Sequence, residues 1–207
     1  FSIFGKKLMK KKALILGFVL FIGMNCFAQE EKTNPIVFGE IIIGYSNGSS
    51  KGVTGGGTLN YQRNNNLFSY RYLELSKIRR QETQFLPDYI QIESVREQAL
   101  LFGKRIVEDN LSYSYSAGIA YVDREFLIDD TNGVLKYNNT QSIGFPFELN
   151  IKWFNAKKEP FRIYGMIPVG KPTSFANSIG FKFYGNVSKT SFVGLGITFG
   201  LGWHKNY

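Results

Sequence analysis

Residue types suited to acid–base or metal chemistry are scarce in this chain. One histidine, His204, is present among 207 residues. A site built from several histidine ligands is therefore excluded, and histidine-dependent catalysis is confined to one place. We expect His204 to be a solvated or interfacial residue near the end of the chain.

Two carboxylates could take part in proton transfer. Glu40 and Glu148 fall on the polar or small-residue face of segments whose opposite face is apolar. A filled polar interior also needs charge pairs, and Arg71, Lys152 and Lys182 are available as partners. We therefore interpret these five residues as a structural charge network rather than as a proton-transfer site.

Two short motifs resemble ligand-binding loops but fail in detail. In a calcium-loop alignment Ile128 occupies the first ligand position and Asn139 replaces the closing glutamate, so an outward turn is favoured. The glycines at 55–57 lack the dinucleotide-binding spacing and read as strand glycines. We predict no catalytic, metal-ligating or cofactor-binding residues, and no cofactor.

The elements that carry these residues alternate with a period of two. In the last segment large apolar residues share one face, while glycines and Thr198 share the other; the apolar members are Val193, Leu195, Ile197, Phe199, Leu201 and Trp203. Segments 111–121 and 143–153 repeat the pattern. Strands of roughly 10 residues with one apolar face are what a lipid-facing barrel wall requires.

The number of candidate strands is odd. Nine segments are candidate strands: 36–46, 54–63, 67–77, 94–107, 111–121, 142–153, 161–169, 178–187 and 193–203. In 94–107, Lys104 and Arg105 leave the two faces unassigned. Bacterial single-chain barrels usually have an even number. We therefore predict eight barrel strands, with the region 161–187 partly loop or short strand. Ten strands are the alternative, with an extra one between Gln84 and Glu93.

The N-terminal residues 1–28 differ from the rest. Five lysines precede an apolar run over 13–24, which is followed by Cys26, Phe27 and Ala28. This order predicts a signal peptide over 1–28, cleaved before Gln29, with Met9 as an alternative start. A transmembrane helix is the competing interpretation, but the run is shorter than the roughly 20 residues needed. Acylation of Cys26 is a minor alternative.

Removal of residues 1–28 changes the composition. Five of the 25 Lys and Arg and none of the 16 Asp and Glu lie there, which leaves 20 basic against 16 acidic residues and a net charge of +4. The only cysteine is also removed, so the mature domain, 29–207, has no disulfide. An exported protein of this mild charge is not expected to bind nucleic acid.

The connections alternate in length, as they do when both termini of a barrel lie in the periplasm. Short turns at 64–66, 108–110 and 155–160 would face the periplasm, and longer loops at 78–92 and 126–140 would face outward. The last strand then runs towards the periplasm and places His204 at that end.

These features resemble a known class. The export signal ending Phe27-Ala28-Gln29, the alternating strands and a final strand rich in glycine and aromatics resemble the small outer-membrane β-barrels of Bacteroidota and related Gram-negative bacteria. The resemblance covers 36–207. It implies an all-β, antiparallel up-and-down transmembrane barrel in the cell outer membrane, inserted by the outer-membrane assembly machinery and surrounded by outer-membrane lipid and lipopolysaccharide.

The sequence is compatible with three functions. We expect a structural or cell-surface interaction role without enzymatic activity. A lipid-modifying outer-membrane enzyme is the first alternative, but some such barrels use a Ser-His pair on the outward half of the wall, and His204 falls at the opposite end. A soluble periplasmic lipid-binding barrel is the second. It needs apolar faces turned inward and polar outer faces, and the small glycine and serine faces offer little outward solubility.

Overall fold

The computed structural model describes residues 36–82, 87–131, 134–155, 157, 159–163, 166–173 and 175–204. The predicted signal peptide over 1–28, its cleavage site and Met9 lie outside the described residues. In the described part of the chain, there is no helix long and apolar enough to cross a membrane.

Ten strands are described in chain order. They are β1 (Ile36–Gly48), β2 (Gly52–Arg63), β3 (Asn66–Glu82), β4 (Pro87–Glu108), β5 (Leu111–Thr131), β6 (Val134–Phe154), β7 (Glu159–Ile163), β8 (Ile167–Thr173), β9 (Phe175–Val187) and β10 (Phe192–Trp203). Eight of them form a closed antiparallel barrel in the order β1-β10-β9-β6-β5-β4-β3-β2. The prediction of an all-β barrel of eight strands is confirmed.

Tight polar turns join the strands at the barrel end where β1 begins and β10 finishes, which we call the terminal end. Asn64 and Asp109 have φ values of 54° and 46° there. Asparagine and aspartate tolerate this left-handed conformation, which two-residue hairpins need. The predicted turns at 64–66 and 108–110 are confirmed.

The connection between β6 and β9 differs from the prediction. A short turn was expected at 155–160, but the chain forms a separate two-stranded sheet of β7 and β8 before it enters β9. Pro168 and Pro172 both fall in β8. Because proline cannot donate a ladder hydrogen bond, β8 suits a small two-stranded sheet better than a barrel wall. The region 161–187 thus contains one hairpin and one full barrel strand.

Four strands are much longer than predicted. β4 has 22 residues and β5 and β6 have 21 each, so the suggested strand between Gln84 and Glu93 is the first part of β4. The pairing of β2 with β3 stops at Val53 and Ser76, and that of β6 with β9 stops at Phe145 and Val187. The loops expected at 78–92 and 126–140 are therefore largely strand.

The extra length forms a feature that we call the raised wall. It consists of residues 77–82 of β3, 87–92 of β4, 127–131 of β5 and 134–144 of β6, at the extended end of the barrel, opposite the terminal end. The pairing of β4 with β5 ends at Glu93 and Phe126, so the wall is two hairpins. Tyr137 Oη on one hairpin donates to the Gln91 carbonyl on the other at 3.1 Å.

The apolar strand faces point outward. Along β10 every second residue is exposed, including Leu195 at 65%, while the glycine and Thr198 face is turned inward. On β5 the outward row runs from Leu111 to Tyr121, a belt height of about 25 Å for a tilted strand. A soluble barrel with inward apolar faces predicts the reverse arrangement, so the structure contradicts that alternative.

The belt has a sharp boundary at the extended end. One step beyond it the outward positions become charged, with Glu74 on β3, Arg96 on β4 and Asp123 and Glu125 on β5. Arg96 forms ion pairs with Asp123, at 3.3 Å, and with Glu125. On these three strands the outward positions therefore change from apolar to charged at the same level.

Candidate functional site

Arg71 is the centre of a charge network inside the barrel. It enters the lumen from β3, and its guanidinium donates to Glu97 Oε1 at 2.7 and 3.0 Å and to Glu148 Oε2 at 3.2 Å. All three side chains are buried. The acids come from β4 and β6, so the cation joins strands that are not all neighbours in the sheet.

Two lysines complete the network. Lys182 Nζ lies 3.1 Å from Glu40 Oε2 and 3.4 Å from Glu148 Oε2, and Lys152 forms an ion pair with Glu40. Asn60 Nδ2 also donates to Glu40 Oε1 at 2.9 Å. Three buried glutamates thus face three buried cations, and their formal charges cancel. Such balance is what allows ionised groups to stay buried.

The structure brings together all five residues that the sequence singled out for this network. Glu40, Glu148, Arg71, Lys152 and Lys182 all belong to it, as predicted. Sequence reasoning missed the sixth member, Glu97, because the two faces of its strand could not be assigned. Glu97 and Arg105 lie on the same face of β4, but the structure and not the sequence shows that this face is the inward one.

Apolar side chains fill the lumen beside the network, most of them nearer the extended end than Arg71. They form one buried cluster of Ile42, Leu73, Leu75, Val95, Ala99, Leu101, Ala120, Val122, Tyr184 and Phe192. Within it, Tyr184 and Ser46 are joined by a hydrogen bond of 3.1 Å. An eight-stranded barrel has an interior just wide enough to be filled by side chains, and this one is filled in that way.

His204 lies in the terminal end of the lumen, and the expectation of a solvated or interfacial residue is wrong. Its side chain is fully buried, with the ring centroid 4.9 Å from that of Phe38 and 5.5 Å from that of Phe154. Arg105 Nη1 donates to the His204 carbonyl at 2.9 Å and its guanidinium lies over Phe38. Since Trp203 points outward, alternation turns His204 inward.

This position gives no support to a Ser-His hydrolase. His204 sits between two phenylalanine rings at the terminal end, far along the strands from the raised wall. The part of the chain that the structure describes holds no group of three or more His, Cys, Asp or Glu residues able to hold a metal ion. The glycines at 55–57 lie within β2, as expected of strand glycines.

A second polar group lies in the mouth of the barrel at the extended end. Glu93 is buried there and accepts hydrogen bonds from Ser50 Oγ and from Arg124 Nε, the latter at 2.6 Å. The Arg124 guanidinium lies 5.3 Å from the centroid of Phe126. This group ties the short turn after β1 to the base of the raised wall.

A closed eight-stranded antiparallel barrel with an apolar outer belt and a charged lumen has the fold of the small outer-membrane β-barrels. Neisserial surface protein A has this fold, with a TM-score of 0.51 and 11% identity over 84% of this chain and 100% of that one. The N-terminal β-barrel domain of Pseudomonas aeruginosa OprF gives 0.49 and 12% over 82% and 99%. Ail of Yersinia pestis gives 0.43 and 11% over 83% and 99%.

These identities are low enough that the likeness concerns the fold alone. No protein-family model matches the chain, and no curated protein matches it. The Bacteroidota affiliation stays a prediction.

Proposed function

We propose that this protein is an outer-membrane barrel that is closed to solutes and acts without catalysis, through its raised wall at the cell surface. The observation that carries the proposal is the combination of a lipid-compatible outer belt, a filled lumen and four strands that continue beyond the belt at one end. In this proposal, the segment 1–28 directs export and the assembly machinery inserts the barrel.

The outer belt supports a location in a membrane. Isoleucine, tyrosine, phenylalanine and leucine supply most of the outward positions, and Trp153, Trp203 and Tyr121 stand near the two margins of the belt. Aromatic girdles at both interfaces are typical of transmembrane barrels. An apolar surface of this extent, exposed to water, would be an aggregation hazard.

The lumen argues against free diffusion. The charge network, the apolar cluster and the plug of Phe38, Phe154, Arg105 and His204 succeed one another along the barrel. Each level is held by side chains from opposite walls, for example by Arg71 reaching Glu148. We therefore propose a role outside the lumen.

The two ends differ in the way expected of an outer-membrane barrel. Two of the three connections at the terminal end are tight turns, β2 to β3 and β4 to β5, and the third contains the β7–β8 sheet. At the extended end two connections are short turns, whereas the β3–β4 and β5–β6 hairpins continue beyond the belt. Short turns face the periplasm and long connections face the exterior in this class. The raised wall is thus the surface offered to partners.

Cysteine labelling tests this topology directly, because the domain 29–207 contains no cysteine. Asn138→Cys lies on the raised wall and Asn65→Cys lies in a turn at the terminal end, and both positions are exposed. In intact cells a membrane-impermeant maleimide should label the first variant and not the second, and both should react after lysis.

Equal labelling of both variants in intact cells, or labelling of the terminal end alone, would refute the proposed orientation. Recovery of the protein outside the outer-membrane fraction, with no difference in gel migration between unheated and boiled samples, would refute the membrane location. Solute flux through vesicles that contain the purified barrel would refute the closed lumen.

A further inference from the structure

A small pocket lies on the inner face of the raised wall, above the mouth of the barrel. It has a volume of about 350 Å³ and is lined by Lys77, Arg79, Ile92, Glu93, Phe126, Leu127 and Ile128. The register of the strands sets Lys77 opposite Glu93, and Glu93 opposite Phe126. Side chains directly opposite on neighbouring strands share a face, so these three residues converge on one side of the sheet.

Two cationic side chains, Lys77 and Arg79, line the pocket. Lys77 and Arg79 are exposed and form no ion pair or hydrogen bond with the described residues. The carboxylate of Glu93 does not balance them, because it is already bound by Arg124 Nε at 2.6 Å and by the hydroxyl of Ser50. Among the residues whose side chains the structure describes, no acid pairs with these two cations.

The other side of the pocket is apolar and partly aromatic. Phe126 lies beneath the Arg124 guanidinium, and Ile128 is 57% exposed. Neither side chain offers a charge or a hydrogen-bond donor to a bare anion. An anionic group beside a carbon framework, as in a phosphorylated sugar, would pair its charge with the cations and set its ring against Phe126 and Ile128.

The position of the pocket relative to the apolar belt is also suited to a phosphorylated sugar. Lys77 follows Glu74, the first charged outward residue of β3, by three positions, which is about 10 Å along a strand. The pocket thus lies just beyond the belt, at the level where the polar headgroups of a bilayer meet water.

We propose that this pocket binds a phosphorylated sugar, through Lys77 and Arg79 on the phosphate and Phe126 and Ile128 on the ring. This assignment rests on the proposed function in one respect: the raised wall must face outward for the pocket to reach sugars outside the cell. The ligand chemistry is shared by the phosphorylated sugar headgroup of lipopolysaccharide and by free sugar phosphates.

Binding to the purified protein tests the site independently of its orientation in the cell. The full mature barrel in detergent micelles would be titrated with glucosamine 1-phosphate, and with unphosphorylated glucosamine and inorganic phosphate for comparison, by calorimetry. The double variant K77Q/R79Q should bind glucosamine 1-phosphate at least tenfold more weakly than the native protein.

Two further variants make the result specific. K51Q/K189Q removes two exposed lysines from the short turns on the rest of the rim and should change the affinity less than twofold. Phe126→Leu keeps every charge; it should weaken glucosamine 1-phosphate binding several-fold and leave inorganic phosphate binding unchanged. Heat-modifiable migration on a gel verifies that each variant is folded.

The proposal is overturned if glucosamine 1-phosphate does not bind, if unphosphorylated glucosamine binds as well, or if both double variants lose affinity equally. Competition by lipopolysaccharide micelles would support the site and identify a lipid headgroup as the source, whereas binding without competition would support it with a free sugar phosphate as the source. A failure here leaves the labelling result intact, so the two proposals can fail separately.

Discussion

Replacing Arg71 with methionine removes the cation that joins two buried glutamates. The guanidinium donates to Glu97 at 2.7 and 3.0 Å and to Glu148 at 3.2 Å, and no solvent reaches any of the three. Removing one partner of a buried ion pair costs about 3–5 kcal/mol because the remaining charge is left without compensation. We expect Arg71→Met to lower the free energy of unfolding by that amount.

The assay is urea unfolding of the barrel in phospholipid vesicles, followed by tryptophan fluorescence. Trp153 and Trp203 both lie on the outer belt and change environment when the chain leaves the bilayer. The matched control is Arg96→Met, which breaks two ion pairs on the outer face where the arginine is 39% exposed. Exposed pairs contribute little, so this variant should lose less than about 1 kcal/mol.

A double variant separates charge balance from packing. Arg71→Met leaves three buried glutamates against two lysines, and the further change Glu97→Gln restores two acids and two bases. The double variant should therefore be more stable than Arg71→Met alone. The reasoning is refuted if Arg71→Met costs no more than Arg96→Met, or if Glu97→Gln destabilises it further.

Three other changes probe the wall of the barrel. Gly118→Ala should prevent folding to the heat-modifiable form on gels, because its Cβ would lie 1.8 Å from the Leu100 carbonyl oxygen, whereas Gly55→Ala, with no atom within 4 Å, should fold normally. Ile197→Arg should destabilise the barrel in vesicles by about 2–4 kcal/mol, and an unchanged stability would show that this face does not meet lipid. Tyr137→Phe removes the bond between the two hairpins of the raised wall. Its net contribution of about 0.5–1.5 kcal/mol predicts roughly two- to tenfold faster proteolysis of the wall, with the barrel core unchanged.

The membrane-spanning strands could be predicted from the sequence because the two faces of each strand meet different environments. Between lipid and a filled lumen, a period of two separates large apolar residues from small or polar ones, as in β10 and in 111–121 of β5. Beyond Glu74 and Arg96 both faces meet water. The alternation then disappears, which is why the raised wall was expected to be loop although it continues four strands.

The network in the lumen was only partly predictable. Inward acids and bases could be recognised by their faces, but the pairing of Arg71 with Glu148 joins β3 to β6, two strands that are not neighbours. Such contacts cross the barrel and depend on its diameter, which no local pattern encodes. The position of His204 near the end of the chain suggests exposure, but alternation after the outward Trp203 turns its side chain into the lumen.

The pairing of β1 with β10 has a consequence for the order of events during folding. These strands, joined from Phe38↔Gly202 to Gly48↔Phe192, are the first and last of the barrel, so its final seam depends on residues more than a hundred positions apart. Until the seam closes, both strands expose a row of backbone donors and acceptors that hydrocarbon cannot satisfy. A chain that ends before β10 would keep two unpaired strand edges, so we expect it not to insert stably into a bilayer.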